Sequence, residues 1–233
     1  MLKNLSRLLF GGTCFLCRGA AAGLLCAECD AELPRLGAEL CPRCALDSPG
    51  GALCGRCLAR APHYDATVAA LAYRFPADVL VQALKFRAEL ALAPLLGELL
   101  AARLDGAGGA SHIVPVPLAA ARLAVRGYNQ ALEIARVVAR ATGARLAPEL
   151  CERVRDTRAQ TELPPEDRAR NVRGAFRAPK LLKGLAVAVL DDVMTTGATL
   201  DEVARTLKAA GAARVVNWVV ARTAPPEVVR HIV

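Results

Sequence analysis

Thr67 to Tyr73 is a short apolar run, Thr-Val-Ala-Ala-Leu-Ala-Tyr, with no polar side, the pattern of a strand covered on both faces. The same pattern returns at Ile113-Val114-Pro115-Val116-Pro117, where proline stops it, at Val187-Ala188-Val189-Leu190, and from Arg214 to Ala221. Between these runs the apolar spacing becomes helical. Val79, Leu80, Ala83 and Leu84 predict a helix over 78–87, and Leu92, Leu95, Leu96, Leu99 and Leu100 predict one over 90–104. Further helices are predicted from Ala131 to Arg140 and from Leu200 to near Gly211, and Leu150 to Val154 reads as one more strand. Strands alternating with helices in this way predict an α/β fold with an open, mainly parallel sheet.

Residues 1–61 follow neither period. Eight of the nine cysteines lie there, in four C-x-x-C pairs: Cys14/Cys17, Cys26/Cys29, Cys41/Cys44 and Cys54/Cys57. Pairs one and two repeat as pairs three and four, with eight and nine residues intervening. In a reducing cytosol such pairs are thiolate ligands rather than disulfides, and four sulfurs at tetrahedral geometry suit Zn²⁺. A segment this short and this poor in apolar bulk needs metal to fold, so the expected zinc is structural. A sequential assignment gives one ion to Cys14, Cys17, Cys26 and Cys29 and a second to Cys41, Cys44, Cys54 and Cys57; a cross-braced assignment, alternating the pairs, is open. Redox chemistry is the competing reading, but four pairs exceed what a dithiol exchanger needs and no thioredoxin-like βαβ pattern surrounds them. Iron–sulfur ligation is the weaker alternative. Cys151 reads as a small core residue.

Composition narrows the class. Apolar residues make up 54% of the chain, against a disordered chain, and aromatics only 4%, so Ala, Leu and Val supply the core. No uninterrupted apolar run approaches the roughly 18 residues of a membrane span. Met1 to Phe10 carries positive charges but no signal-peptide core or cleavage site before Cys14, so the expected location is cytoplasmic. A net charge of +8, mostly from arginine, suits a chain that handles phosphate, diphosphate or nucleic acid, although a GC-rich genome would give the same excess.

The most specific stretch runs from Val187 to Thr199. Four apolar residues lead to two acids, Asp191 and Asp192, after which the chain breaks into Thr195-Thr196-Gly197-Ala198-Thr199 and resumes as a helix. Backbone N–H groups of such a loop and the positive end of the following helix surround a phosphate; Gly197 removes an obstructing Cβ, and the threonine hydroxyls add donors. Adjacent acids repel phosphate and are better employed on ribose hydroxyls or on Mg²⁺ held through water. Together they describe a ribose 5-phosphate site, distinct from a P-loop, whose glycine spacing and lysine are missing. Arg122 and Arg126 stand just past the strand at Ile113, where guanidinium groups can grip a diphosphate or else form a solvated face. The polar, proline-broken segment 155–168 has the character of a loop that covers a site.

The stretch 187–199 resembles the phosphoribosyl diphosphate (PRPP) loop of type I phosphoribosyltransferases. Together with Arg122, Arg126-Gly127-Tyr128-Asn129-Gln130, the block from Gln160 through Glu166-Asp167-Arg168-Ala169-Arg170-Asn171 to Phe176, Leu84-Lys85-Phe86 and the cysteine pairs, it resembles the ComF/GntX family over almost the whole chain. The resemblance implies a zinc-binding module at 1–61 and a phosphoribosyltransferase-like domain at 62–233, divided into a helical lead-in, 62–110, and a PRPP-binding core, 111–233. It implies that Asp191 and Asp192 meet the ribose and act in catalysis, that Thr195, Thr196, Gly197, Ala198 and Thr199 hold the 5-phosphate, and that Arg122 and Arg126 face the diphosphate near Mg²⁺. Arg158, Gln160, Arg168 and Asn171 fall to a mobile loop. Its implied setting is natural competence, with single-stranded DNA and a competence helicase or another uptake protein as partners. Arg18, Arg35, Arg43, Arg56 and Arg60 are the candidates to follow a strand's phosphates, with few aromatic residues beside them.

Overall fold

The computed structural model describes residues 12–104, 109–157, 164, 167–179 and 181–224. Two small strands, β1 (Gly12–Thr13) and β2 (Ala20–Ala21), pair antiparallel ahead of two single-turn helices, α1 (Ala27–Ala31) and α2 (Gly55–Ala59). Then follow β3 (Ala66–Ala72), α3 (Ala77–Phe86), α4 (Leu92–Arg103), β4 (His112–Pro115), α5 (Ala120–Arg126), α6 (Gln130–Thr142) and β5 (Arg145–Leu146). The chain closes through β6 (Glu152–Arg153), α7 (Arg168–Val172), β7 (Phe176–Arg177), β8 (Ala186–Met194), α8 (Ala198–Ala209) and β9 (Arg214–Arg222).

Five strands form one sheet in the order β3-β9-β8-β4-β5, parallel throughout. Alternation along the central strands divides the core in two. Val187 and Val189 of β8 and Val215 and Val219 of β9 pack toward α8, against Leu200, Val203 and Leu207. Ala188, Leu190, Val216, Trp218 and Val220 point the other way, onto Leu80 and Leu84 of α3, Leu96 and Leu100 of α4 and Ile134 and Val138 of α6. Both faces are thus covered, which is why these strands read as unbroken apolar runs. Helices α4 and α6 approach closely at Gly97, where a Cβ would stand 2.6 Å from that of Val137. Asn129 caps α6 by accepting from the N–H groups of Ala131 and Leu132 at 3.0 and 3.4 Å.

The α/β class and the mainly parallel sheet agree with the sequence pattern, and the departures are local. The segment 62–110 holds, besides α3 and α4, the strand expected from Thr67 to Tyr73, which spans Ala66–Ala72 and forms the sheet edge as β3. The run at Leu150 is not one strand: Pro148 starts a 3₁₀ turn ending at Leu150, and only Glu152–Arg153 pairs, antiparallel with β7. Arg122 and Arg126 sit on a helix, α5, that ends at Gly127 in the left-handed conformation. The outer edge of β3 is covered by the cysteine-rich segment: Leu36 N–H donates to Ala70 O, Ala72 N–H to Pro34 O and Thr67 N–H to Pro42 O, at 3.1, 2.8 and 3.1 Å. That cover removes an otherwise open sheet edge. Among the described residues no helix is long and apolar enough to cross a membrane.

Candidate functional site

The eight N-terminal cysteines gather as two sequential sets, Cys14, Cys17, Cys26 and Cys29, and Cys41, Cys44, Cys54 and Cys57, with the sulfurs of each set within 4.8 Å of one another. The two sets share one backbone. Cys14 N–H donates to Gly19 O and Arg18 N–H to Cys14 O; Cys41 N–H donates to Leu46 O and Ala45 N–H to Cys41 O, at 2.7, 3.0, 2.7 and 2.9 Å. Arg18 and Ala45 both take the left-handed conformation, φ 65° and 54°. Cys26 and Cys54 each precede a short helix as its N-cap. Zn–S bonds of about 2.3 Å in a tetrahedron set sulfurs about 3.8 Å apart. Cys17 and Cys26 are 3.7 Å apart and Cys44 and Cys54 3.5 Å, so both sets fit Zn²⁺. The N–H of Cys17, ahead of other backbone donors, draws the Cys14 thiol down to about 6. Burial pushes Cys41 up, but the N–H groups of Cys54, Cys44 and Arg43 outweigh it and bring that thiol to about 6 also. Burial raises Cys29 and Cys57, so four thiolates crowd together only with a cation among them. Cys151 is buried, as expected of a core residue.

The second site lies at the carboxyl ends of β4 and β8. From β4 the chain passes through α6 on one face of the sheet, and from β8 it passes through α8 on the other, so a crevice opens between the two strands. A cavity of about 220 Å³ occupies it. Asp191, Asp192 and the loop 195–199 line one side; Arg122 and Arg126 of α5, Arg153, Arg168 of α7 and Lys85 of α3 line the rest. The site residues named from the sequence thus converge, with three exceptions. Asn171 lies on α7 outside the cavity lining. Arg158 and Gln160 fall outside the described residues.

Gly197 takes φ 85° and caps α8, and its backbone is closely approached: a Cβ there would meet Met194 Cε at 2.8 Å and Tyr64 Oη at 3.2 Å. Arg168 donates to Thr195 Oγ1 at 2.9 Å. Arg122 donates to Thr157 O at 2.6 Å, and Arg126 reaches Gln130 Oε1 while its guanidinium lies 5.7 Å from the centre of the Phe86 ring. Asp191 is partly exposed to the cavity, and Asp192 is only 2% exposed. Lys85 Nζ sits 3.2 and 3.0 Å from Asp192 Oδ1 and Oδ2. Burial and then the neighbouring Asp192 charge push Asp191 up to about 8. Burial pushes Asp192 up as well, but the Lys85 charge and hydrogen bond more than offset it and hold this carboxyl below its usual range. Lys85 in turn is raised, because the two carboxylates outweigh its burial.

Residues 5–58 match the double zinc ribbon domain and residues 95–229 the phosphoribosyl transferase domain. The "DNA utilization protein YhgH" of Salmonella typhimurium is 38% identical over 222 residues, which cover 91% of this chain and 97% of the relative. "Competence protein F" of Haemophilus influenzae is 30% identical over 226 residues, covering 91% and 98%. The chain belongs to the ComF family. Its two four-cysteine clusters within a double zinc ribbon support structural zinc, and its sheet is that of a phosphoribosyltransferase-like domain. A solved structure from Thermus thermophilus is also similar, at 20% identity over 58% of this chain and 84% of that one, with a TM-score of 0.35.

Lys85, Arg153 and Arg222 were not foreseen as site residues. Lys85 falls four residues after buried Val81, on the packed side of α3, where a lysine needs a carboxylate; that spacing is the signal that could have revealed it. It also precedes residue 95, so it reaches the ComF family cleft from outside the matched transferase segment. Arg222 ends an apolar strand, an unusual place for a guanidinium. In the zinc ribbons, Arg35 is paired with Asp30 at 2.8 Å and Arg43 donates to Pro62 O and Tyr64 O at 3.4 and 3.2 Å, so neither is a free surface cation. Arg18, Arg56 and Arg60 are exposed.

Proposed function

We propose that the chain binds PRPP with Mg²⁺ in the cleft above β4 and β8 and transfers its phosphoribosyl group to a nitrogen acceptor. The observation that carries this reading is the meeting of the Asp191–Asp192 pair and the loop 195–199 in one cavity with five cationic side chains. The loop N–H groups and threonine hydroxyls would take the 5-phosphate, with Gly197 leaving the approach open. The acids would accept from the ribose hydroxyls, and Arg122 and Arg126 would hold the diphosphate. A carboxyl that burial, and then its neighbour's charge, hold up to about 8 has a proton to lose to a hard cation, and with oxygen donors facing the cavity the site fits magnesium held through water. When bound, Mg²⁺ supplies charge neutralisation on the leaving diphosphate.

Departure of diphosphate leaves oxocarbenium-like charge on the ribose. Arginines fixed around the leaving group stabilise the transition state electrostatically, and Asp191, the more exposed acid, faces that charge. Asp192, held as a carboxylate by Lys85, orients its neighbour through the Asp192 N–H donated to Asp191 Oδ1 at 2.9 Å. Asp191, once it has given up its own proton, can take one from the incoming amine. The test is incubation with PRPP, Mg²⁺ and a panel of amines and nucleobases, read as diphosphate release. Release that is absent with every acceptor, while calorimetry shows PRPP bound, leaves the binding and removes the transferase.

A second reading keeps the ligand and omits turnover, and the Lys85–Asp192 ion pair favours it, since it occupies one of the two acids that the sugar would use. In that reading the chain senses PRPP and serves DNA uptake, the setting that the names of its relatives suggest. Exposed Arg18, Arg56 and Arg60 would then give weak binding to single-stranded DNA whose logarithm falls linearly with log salt. Fluorescence anisotropy that ignores salt would remove the strand and leave a protein partner.

A further inference from the structure

Arg222 closes β9 and is 3% exposed, the one arginine among the buried polar and charged side chains of the described residues. Its Nε donates to Cys44 O at 2.8 Å, and its Nη1 donates to Met194 O at 2.8 Å, to Thr223 O at 2.9 Å and to Thr195 O. Among the described residues no carboxylate pairs with it, although a buried guanidinium is costly without a counter-charge. Through the Cys44 carbonyl it is joined instead to one of the four cysteines whose sulfurs gather beside it. A zinc ion with four thiolates carries a formal charge of 2−, so the second cysteine cluster, taken whole, is the anion that balances Arg222.

The same cluster reaches the phosphate loop by another path. Arg43, between its first two cysteines, holds the carbonyls of Pro62 and Tyr64. The linker that follows runs beside α8: the N–H and Nδ1 of His63 meet Asp201 Oδ1 at 2.6 and 3.1 Å, Tyr64 packs under Gly197, and Asp65 accepts from Lys208 at 2.7 Å. The first cluster makes no such contact with residues 194–199 among the described residues. A cavity of about 330 Å³ bordered by Cys54, Arg56 and Arg222 gives the guanidinium somewhere to go if its anion is lost.

We propose that Arg222 is a positioning residue that fixes the 194–199 loop by using the second cysteine cluster as its counter-charge, so that the loop's ability to hold a phosphate depends on the second zinc site and not on the first. The proposal rests on reading that loop as the phosphate site.

The test uses the full chain with both metals and two readouts, affinity for PRPP with Mg²⁺ by calorimetry and amide hydrogen exchange across 194–199. Arg222→Met should weaken binding at least tenfold and speed exchange in the loop while the amides of β4 stay protected. Arg222→Lys should recover part of the affinity, which a merely space-filling role would not give. Cys17→Ser, which opens only the first cluster, should leave both readouts unchanged. Should Arg222→Met fail to fold, chelator-driven zinc release from the unaltered protein decides the matter: the loop should loosen with the loss of the second ion, the one that Cys17→Ser retains. Loosening with the first ion, or an unaltered loop in folded Arg222→Met, overturns the proposal. If the unaltered protein binds no PRPP, the functional reading falls, and the exchange measurements alone still decide whether Arg222 couples loop to zinc.

Discussion

The two cysteine clusters share the backbone turn at their first cysteine pair, Cys14 to Gly19 and Cys41 to Leu46, yet they sit in different surroundings. In the first, Cys14 is buried, Cys17 is exposed and Cys26 and Cys29 are half-buried, and the neighbouring Phe15, Leu16, Leu24 and Leu25 are only partly buried where they pack against the core under α3, α4 and α6. Cys41, Cys44 and Cys57 are buried among Tyr64, Val203 and Leu207, in the same core that lies under α8. A local backbone pattern therefore fixes how four sulfurs converge, while tertiary packing fixes what their convergence supports. The first ribbon rests on the transferase-like core from outside, through Phe15, Leu16, Leu24 and Leu25, whereas the cysteines of the second lie within it.

Removing one ligand from each ribbon separates the two most directly. Cys57→Ser should lose one zinc and destabilise the whole fold by about 4 kcal/mol or more, lowering Tm by roughly 10 °C. Cys29→Ser should also lose one zinc but leave the main transition within about 3 °C. Metal analysis with scanning calorimetry reads both, and equal shifts would mean that the ribbons are energetically alike.

Charge also distinguishes the two regions. The second ribbon's neighbourhood contains a buried cation balanced by thiolates, whereas the cleft above it contains Asp191, held up to about 8 by burial and by Asp192. An acid whose folded value is raised keeps a proton that the unfolded chain has already released, so stability falls as pH rises from about 4 to 8 and the penalty is complete above that window. Asp191→Asn should match the unaltered protein at pH 4 and be more stable at pH 8, by on the order of 2 kcal/mol once the open cleft is allowed for. Denaturant titrations at the two pH values check this, and a gain at pH 4 would place the effect elsewhere.

Contact between ribbon and loop gives a smaller effect. Gly197→Ala puts a Cβ against Met194 and Tyr64 at a φ of 85°, and should cost about 1–2 kcal/mol with a parallel loss of PRPP affinity. Tyr64→Phe in the same background should recover part of it if the linker is what crowds the loop, as calorimetry would show. The smallest effect belongs to the first ribbon: Asp30→Asn removes the exposed pair with Arg35 and should change stability by less than about 1 kcal/mol. A larger change would show that the outer ribbon, too, is tied to the core.

Much of this was legible in the sequence because the signals were local. Val187–Leu190, the two acids and Thr195–Thr199 occupy consecutive positions, so strand, loop and helix could be read together, and the C-x-x-C spacing announced sulfur ligands. The convergence of Arg122 and Arg126 on that loop was also anticipated, although α5, which carries them, was not: seven residues give too few turns to establish a period. Lys85 was hidden for a different reason. It meets Asp192 across 107 residues of chain, and no local pattern encodes such a pairing. Arg43 misled in the opposite sense, since an arginine between cysteines looks like surface charge until the linker that it holds is seen. The sequential set of sulfurs was one of two assignments that spacing allowed, and only the three-dimensional positions separate them.

The pairing of β3 with β9 has a consequence during synthesis. Thr67 and Asn217, which meet across these strands, are 150 residues apart in the chain. At the ribosome's usual pace, roughly 5–20 residues per second, β3 emerges on the order of ten seconds before its partner exists. During that interval the cysteine-rich segment, translated earlier, can already take up zinc and lie along one edge of β3 through Pro34, Leu36 and Pro42, shielding that edge from other nascent chains. The opposite edge waits for β9, whose last residue, Arg222, joins the sheet and the second ribbon in the same step.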